Sequence, residues 1–223
     1  MEFRAYADRE MMFMELANRL ASELGSCLRT HEHASFCVPG GTTPGPIFDV
    51  LSSVALDWPR VHVFLNDERW VPETSDRSNT RLLRQRLFVE RAASAKLIPM
   101  VADTVEPEDA LDTLAAGLAP DFPISVLLLG MGTDMHTASL FPGADRLADA
   151  LAADAPPLMA MRAPGAPEPR VTLTAPVLDG AMSKHIVITG HEKREAVERA
   201  QGLSAEEAPV TAVWNGAVVH WSE

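Results

Sequence analysis

The chain has 223 residues, 47% hydrophobic and 22% charged, the composition of a folded globular protein without low-complexity tracts. Its 31 acidic against 19 basic residues leave a formal charge of -12, which argues against a nucleic-acid partner and requires a local positive patch for any anionic small ligand. No basic segment leading into an apolar stretch opens the sequence, so neither a signal peptide nor a membrane span is expected, and the expected location is the cytoplasm.

Along the chain, Phe13, Leu16, Ala17, Leu20 and Leu24 recur at helical spacing and predict a first helix. Cys27 and Cys37 share no ligand spacing and read as reduced, mostly buried small hydrophobes. Residues 34–38 are a short apolar run, hence a buried strand, and 39-PGGTTPGPIF-48 follows it, a turn into a helix whose first turn carries Pro44 or Pro46. Residues 61–65 repeat the pattern and end in 66-NDERWVP-72, before a helix marked by Leu82, Leu83, Leu87 and Phe88. Pro107 is placed as a first-turn proline ahead of Leu111, Leu114, Ala115 and Leu118. A third strand is predicted over 124–129, running into 130-GMGTDMHTASLFPG-143, and a fourth over 185–189, running into 190-GHEKREA-196. Between them, residues 158–161 and 171–174 flank an Ala-Pro-Gly-Ala-Pro centre like two strands around a loop, so the Pro-rich stretch is not a linker. Such strand-helix alternation predicts an α/β fold, a mainly parallel sheet flanked by helices, as a single domain over residues 1–223.

Ligands of open parallel sheets bind beyond the carboxyl ends of the strands, so the four loops after those strands are the candidate site. Gly40, Gly41, Thr42 and Thr43 suit a phosphate, through exposed N–H groups and hydroxyls, as well as they suit a tight turn capped by threonine. Asp67 and Arg69 belong to a charged cluster at a strand end, where a functional role outweighs a solvated face. Asp134 and His136, two apart in a glycine-rich loop with Gly132, read either as a turn cap or as a general base with its carboxylate orienter. Arg170 and Lys193 lie on separate loops, with Lys193 near a helix start that favours anions. His31 and His33 sit on a polar segment before a strand, and no spacing of metal ligands is present; no Gly-x-Ser-x-Gly elbow supports a serine nucleophile either.

Taken in order, Pro39 to Pro44, Asn66 to Pro72, Asp76 to Asn79, Gly130 to Pro142, Arg170 to Thr174 and Gly190 to Lys193 resemble the 6-phosphogluconolactonase family. The resemblance implies a modified Rossmann-like fold shared with glucosamine-6-phosphate deaminase and ribose-5-phosphate isomerase. It implies hydrolysis of 6-phospho-D-glucono-1,5-lactone in the oxidative pentose phosphate pathway, with no cofactor and no metal, by a monomer or homodimer whose partner is the phosphosugar lactone. It makes His136 the base that activates water and Asp67 its acidic partner. Gly40, Gly41, Thr42, Thr43, Arg69, Gly132, Asp134, Arg170 and Lys193 become the groups that hold phosphate and sugar. Two residues depart from the family pattern: Pro39 where relatives carry serine, and Met135 where they carry glycine; if that glycine needs a left-handed backbone, Met135 costs about 1–2 kcal/mol.

Two other readings fit parts of the pattern. A deaminase or isomerase of the same fold would carry Ile-Ala-Phe-Asn-Glu-Pro-like residues after the histidine, whereas this chain has Thr137 to Pro142. A sugar-phosphate sensor of the repressor type would carry a helix-turn-helix segment and need not keep both Asp67 and His136.

Overall fold

A computed structural model describes residues 1–223. The elements are β1 (Glu2–Ala5), α1 (Arg9–Leu28), β2 (Ala34–Val38), α2 (Gly45–Ser53), β3 (Val61–Leu65), β4 (Asp67–Arg69), α3 (Asn79–Arg86), β5 (Lys96–Leu97), α4 (Leu111–Leu118), β6 (Val126–Gly130), α5 (Leu147–Leu151), β7 (Leu158–Met161), β8 (Arg170–Leu173), α6 (Ala175–Asp179), β9 (Ser183–Thr189), α7 (His191–Ala200) and β10 (Val218–Ser222). Seven strands form one sheet in the order β1-β10-β9-β6-β2-β3-β5, and every neighbouring pair in it is parallel. A second sheet, β4-β8-β7, is antiparallel.

The unbroken apolar runs explain the main sheet. All five residues of β2 and Val126 to Leu129 of β6 are buried, as a strand covered on both faces requires. α1 starts where the Asp8 carboxylate accepts from the Met11 N–H at 2.8 Å, and it turns Met12, Leu16, Ala17, Leu20 and Leu24 inward at helical spacing. Leu16 and Leu20 are fully buried, so truncating either to alanine would cost about 2–5 kcal/mol.

Several boundaries differ from the sequence reading. The third strand begins at Val126 rather than at residue 124, because the Ser125 N–H donates to Ser35 Oγ at 2.8 Å and the Ser35 N–H donates to Ser125 Oγ at 3.1 Å, in place of a backbone ladder. Pro107 opens a 3₁₀ turn, Pro107–Ala110, and α4 begins only at Leu111. The predicted pair around the Pro-rich loop forms as β7 and β8, one residue earlier in the second strand because Thr174 leaves the ladder to take the N-cap position of α6, its hydroxyl donating to the Pro156 carbonyl. Arg170 is therefore the first residue of a strand, not part of a loop. β1 and β10, added by the chain termini, lengthen the sheet on one side.

Strands β9, β6, β2 and β3 are consecutive in the sheet and parallel, so their carboxyl ends share one edge. At about 4.8 Å between strands, the four loops that follow them lie within a span of about 14 Å. The chain turns from β2 to β3 on one side and to β6 on the other, which opens a crevice between the loops after β2 and β6. No helix is long and apolar enough to cross a membrane.

Candidate active site

A cavity of about 260 Å³ occupies that crevice, lined by polar residues from all four loops and from β8. It gathers Gly40, Gly41, Thr42, Thr43, Asp67, Arg69, Gly132, His136, Arg170 and Lys193. Among the candidate catalytic and binding residues, Asp134 alone is absent from the lining. It stands behind the imidazole, where its Oδ1 accepts from His136 Nδ1 at 2.5 Å and from the His136 N–H at 3.2 Å.

This bond sets the chemistry of His136. A carboxylate at Nδ1 places the ring proton there and leaves Nε2 as the basic nitrogen, which has no protein partner. Burial pushes the Asp134 carboxyl up, yet the hydrogen bonds and charge of His136 outweigh that and hold it below the usual aspartate value. The ring is packed from the side by Phe141, stacked at 4.2 Å between centroids, and the Arg170 guanidinium lies 5.2 Å from the same Phe141 ring. Phe141 thus touches both His136 and Arg170, a contact that its place in a Phe-Pro-Gly turn did not advertise.

The Gly132 amide is engaged within its own loop. Its N–H donates to the His136 carbonyl at 3.0 Å, and its carbonyl accepts from the Met135 N–H at 3.0 Å. A Cβ at position 132 would stand 2.2 Å from His136 Nδ1 and 2.4 Å from Asp134 Oδ1. The glycine is needed so that the carboxylate and imidazole can close over the backbone. The tight turn also forces φ to +68° at Met135 and +49° at Ala138, so the histidine sits between two non-glycine residues in the left-handed region. Met135 is therefore strained where the family pattern has glycine.

The contacts of Asp67 in this structure run to Ser139 and Arg170, not to His136. Buried at the start of β4, it accepts from Ser139 Oγ at 2.5 Å and pairs with Arg170 Nη1 at 3.6 Å, and no hydrogen bond or ion pair joins it to the imidazole. Asp67 and Arg69 point to the cavity because side chains alternate along a strand, whereas the intervening Glu68 turns away and is fully buried. There Glu68 accepts from the Asn79 and Thr80 N–H groups at 2.8 and 2.7 Å and from both neighbouring hydroxyls, of Ser78 and Thr80. It anchors the amino end of α3, whose Asn79 side chain donates to the Asp67 carbonyl at 3.1 Å and fills the space a Cβ on Gly40 would need.

The cavity has an excess of unpaired donors. The N–H groups of Gly40, Gly41, Thr42 and Thr43 and the two threonine hydroxyls donate to no protein acceptor, and the following helix has Pro44 rather than a threonine as its cap. The Nε atoms of Arg69 and Arg170 are buried without a partner. Burial lowers the Arg170 pKa against the pull of Asp67, and burial lowers that of Lys193 against the pull of Asp134. Lys193, in the first turn of α7 after Gly190 at φ +86°, makes no hydrogen bond or ion pair. Desolvated cations and free amides around one cavity suit a phosphorylated, oxygen-rich ligand. Pro39 contributes only its ring to this wall, with neither hydroxyl nor N–H.

Known proteins resemble this chain along nearly its whole length. A 6-phosphogluconolactonase of Rhizobium meliloti (strain 1021) is 38% identical over 215 residues, covering 93% of this chain and 92% of its own. The crystal structure of a 6-phosphogluconolactonase from Shewanella baltica OS155 superposes with a TM-score of 0.95 at 32% identity, over 100% of this chain and 97% of its own. A monomeric glucosamine-6-phosphate deaminase shares the fold at a TM-score of 0.82 and 14% identity, over 100% of this chain and 98% of its own. The family model for glucosamine-6-phosphate isomerases/6-phosphogluconolactonase matches residues 7–221, and the chain belongs to that family.

Proposed function

We propose that this chain is a 6-phosphogluconolactonase, hydrolysing 6-phospho-D-glucono-1,5-lactone to 6-phospho-D-gluconate in the oxidative pentose phosphate pathway. The observation that carries the reading is His136 Nε2, a basic nitrogen made available by the Asp134 bond at Nδ1, beside a cavity rich in unpaired donors. Nε2 takes a proton from water as the oxygen attacks C1 of the lactone. The tetrahedral oxyanion then collapses, the C1 to ring-oxygen bond breaks, and the imidazolium returns its proton to the leaving oxygen. Free N–H groups of the Gly40 to Thr43 loop are the nearest candidates to meet anionic oxygens, and Arg69, Arg170 and Lys193 hold the phosphate. Asp67 acts on Arg170, fixing the guanidinium through charge, and Asp134 orients the base. The step as written needs no cofactor.

The same reading takes residues 1–223 as one lactonase domain, acting in the cytoplasm as a monomer or homodimer. The test is lactone turnover by purified protein and by His136→Ala, with the spontaneous rate subtracted. General-base loss should lower kcat by about 10²–10⁴-fold. Equal rates for the two proteins would remove His136 from the mechanism, and a wild-type rate no faster than buffer would remove the activity.

A further inference from the structure

At the opposite edge of the main sheet lies a second set of chemically competent side chains. His33 immediately precedes β2, His62 is the second residue of β3, and Asp121 lies in the 3₁₀ turn Ala119–Asp121 ahead of β6. Because β3, β2 and β6 are neighbours and parallel, their amino ends converge, about 17 Å of strand away from the lactone-binding crevice.

The Asp121 side chain is only 2% exposed. Its Oδ1 lies 2.7 Å from His62 Nδ1 and 3.3 Å from His33 Nε2, and neither carboxylate oxygen meets a lysine, an arginine or a backbone N–H. A buried carboxylate needs compensating positive charge, and two imidazoles are all this one has. The two rings are stacked at 4.3 Å between centroids with 13° between planes, so both imidazoles lie together against the one carboxylate. One divalent cation shared by the three groups compensates the buried carboxylate.

We propose that His33, His62 and Asp121 form a binding site for a borderline divalent transition-metal ion of the Zn²⁺ or Co²⁺ type. The three donor atoms lie within 4.8 Å of one another. Bonds of about 2.0–2.1 Å to a tetrahedral ion put ligand atoms about 3.3 Å apart, so closing the site takes side-chain shifts of an ångström or so. Two imidazole nitrogens and one carboxylate select Zn²⁺, Co²⁺, Ni²⁺ or Cu²⁺ over Mg²⁺ and Ca²⁺, which prefer all-oxygen sets. His33 and Asp121 also border a cavity of about 260 Å³ shared with Cys27, His31 and Glu32, which gives solvent access to the remaining coordination position. Bound there, the ion joins the entries of three adjacent strands and so favours the folded chain.

The experiment is titration of tag-free, chelator-treated protein with Zn²⁺ by calorimetry and with Co²⁺ by visible absorption. One equivalent should bind wild type and His136→Ala alike, with a Co²⁺ d–d band and a rise in melting temperature. His33→Ala and Asp121→Asn should each weaken binding by more than the roughly 10–100-fold that loss of an outer-shell partner costs a metal site. Unchanged lactone turnover in His33→Ala would show that the variant is folded. Failure of wild type to bind either ion, equal binding by wild type and both variants, or loss of binding in His136→Ala instead would each overturn the proposal.

Discussion

Two carboxylate-imidazole assemblies in this molecule use the same chemistry to opposite ends. In the first, Asp134 and His136 stand two residues apart on a half-exposed loop, with Nε2 free and a strained residue on either side. In the second, Glu23 Oε2 meets His185 Nε2 at 2.8 Å, His185 Nδ1 meets His220 Nε2 at 3.0 Å, and His220 Nδ1 meets Tyr6 Oη at 2.7 Å. That chain crosses from α1 through β9 and β10 to the amino terminus, and every ring nitrogen in it is occupied. Burial and saturation suit the second to fastening; one vacant nitrogen beside a polar cavity suits the first to the proposed work of a base.

The contrast can be broken at the catalytic end first. Asp134→Ala removes the orienter, and kcat should fall about 10–100-fold with stability nearly unchanged, since exposed ion pairs contribute only about 0–1 kcal/mol. Asp67→Ala should do the reverse at first order: it leaves Arg170 buried and unpaired, destabilises by about 3–5 kcal/mol in urea unfolding, and raises KM. If Asp67→Ala leaves KM alone and lowers kcat as far as Asp134→Ala does, Asp67 serves the base after all.

Arg170→Ala and Lys193→Ala sharpen the division between chemistry and binding. Each should raise KM by about tenfold with kcat nearly constant, because a phosphate is held equally in the ground and transition states. Initial-rate kinetics over substrate concentration separate the two constants, and a loss confined to kcat would contradict the assignment.

At the buried end the prediction concerns acid. Burial, with the nearby charge of His185, depresses the His220 pKa to about 3, below its usual 6.5. Burial also works against ionised Glu23, but hydrogen bonds from His185 and Ser183 overcome it and bring that pKa to about 2 from 4.5. Both folded values lie below the unfolded ones, so the unfolded chain takes up protons first and stability falls as pH falls. The window runs from about 6.5 to 3 for His220 and from about 4.5 to 2 for Glu23. Each group contributes a slope of up to about 1.4 kcal/mol per pH unit while it titrates. Urea midpoints between pH 7 and 4 should drop more steeply for wild type than for His220→Gln; parallel lines would show that His220 does not resist protonation.

The smallest effect belongs to Met135. Met135→Gly relieves a left-handed backbone worth about 1–2 kcal/mol but gives up a half-buried side chain, so a net gain below about 1 kcal/mol is expected in thermal unfolding. A loss of stability would mean that the thioether packing outweighs the strain.

Much of the fold was legible because its signals are local. A continuous apolar run over residues 61–65 or 34–38 specifies a strand covered on both faces, and helical spacing in α1 specifies the face that does the covering. β1 and β10 were not, because short terminal strands carry no pattern until partners flank them. At the site, the Asp134-His136 pair was readable as a base with its orienter, since two residues in one turn need no other part of the chain to meet.

By itself, then, the sequence determined the alternation of elements, the loops at the strand ends, the family resemblance and the local pair. Tertiary structure alone decided that Asp67 pairs with Ser139 and Arg170, 72 and 103 residues further on, rather than with His136. It likewise decided that Gly132 makes room for Asp134 and His136, that Phe141 packs against both His136 and Arg170, and that His33, His62 and Asp121 meet. The physical reason is the same in each case: which polar groups share a partner depends on strand order and register, and these are set by the burial of the whole apolar core rather than by any residue's neighbours in the chain.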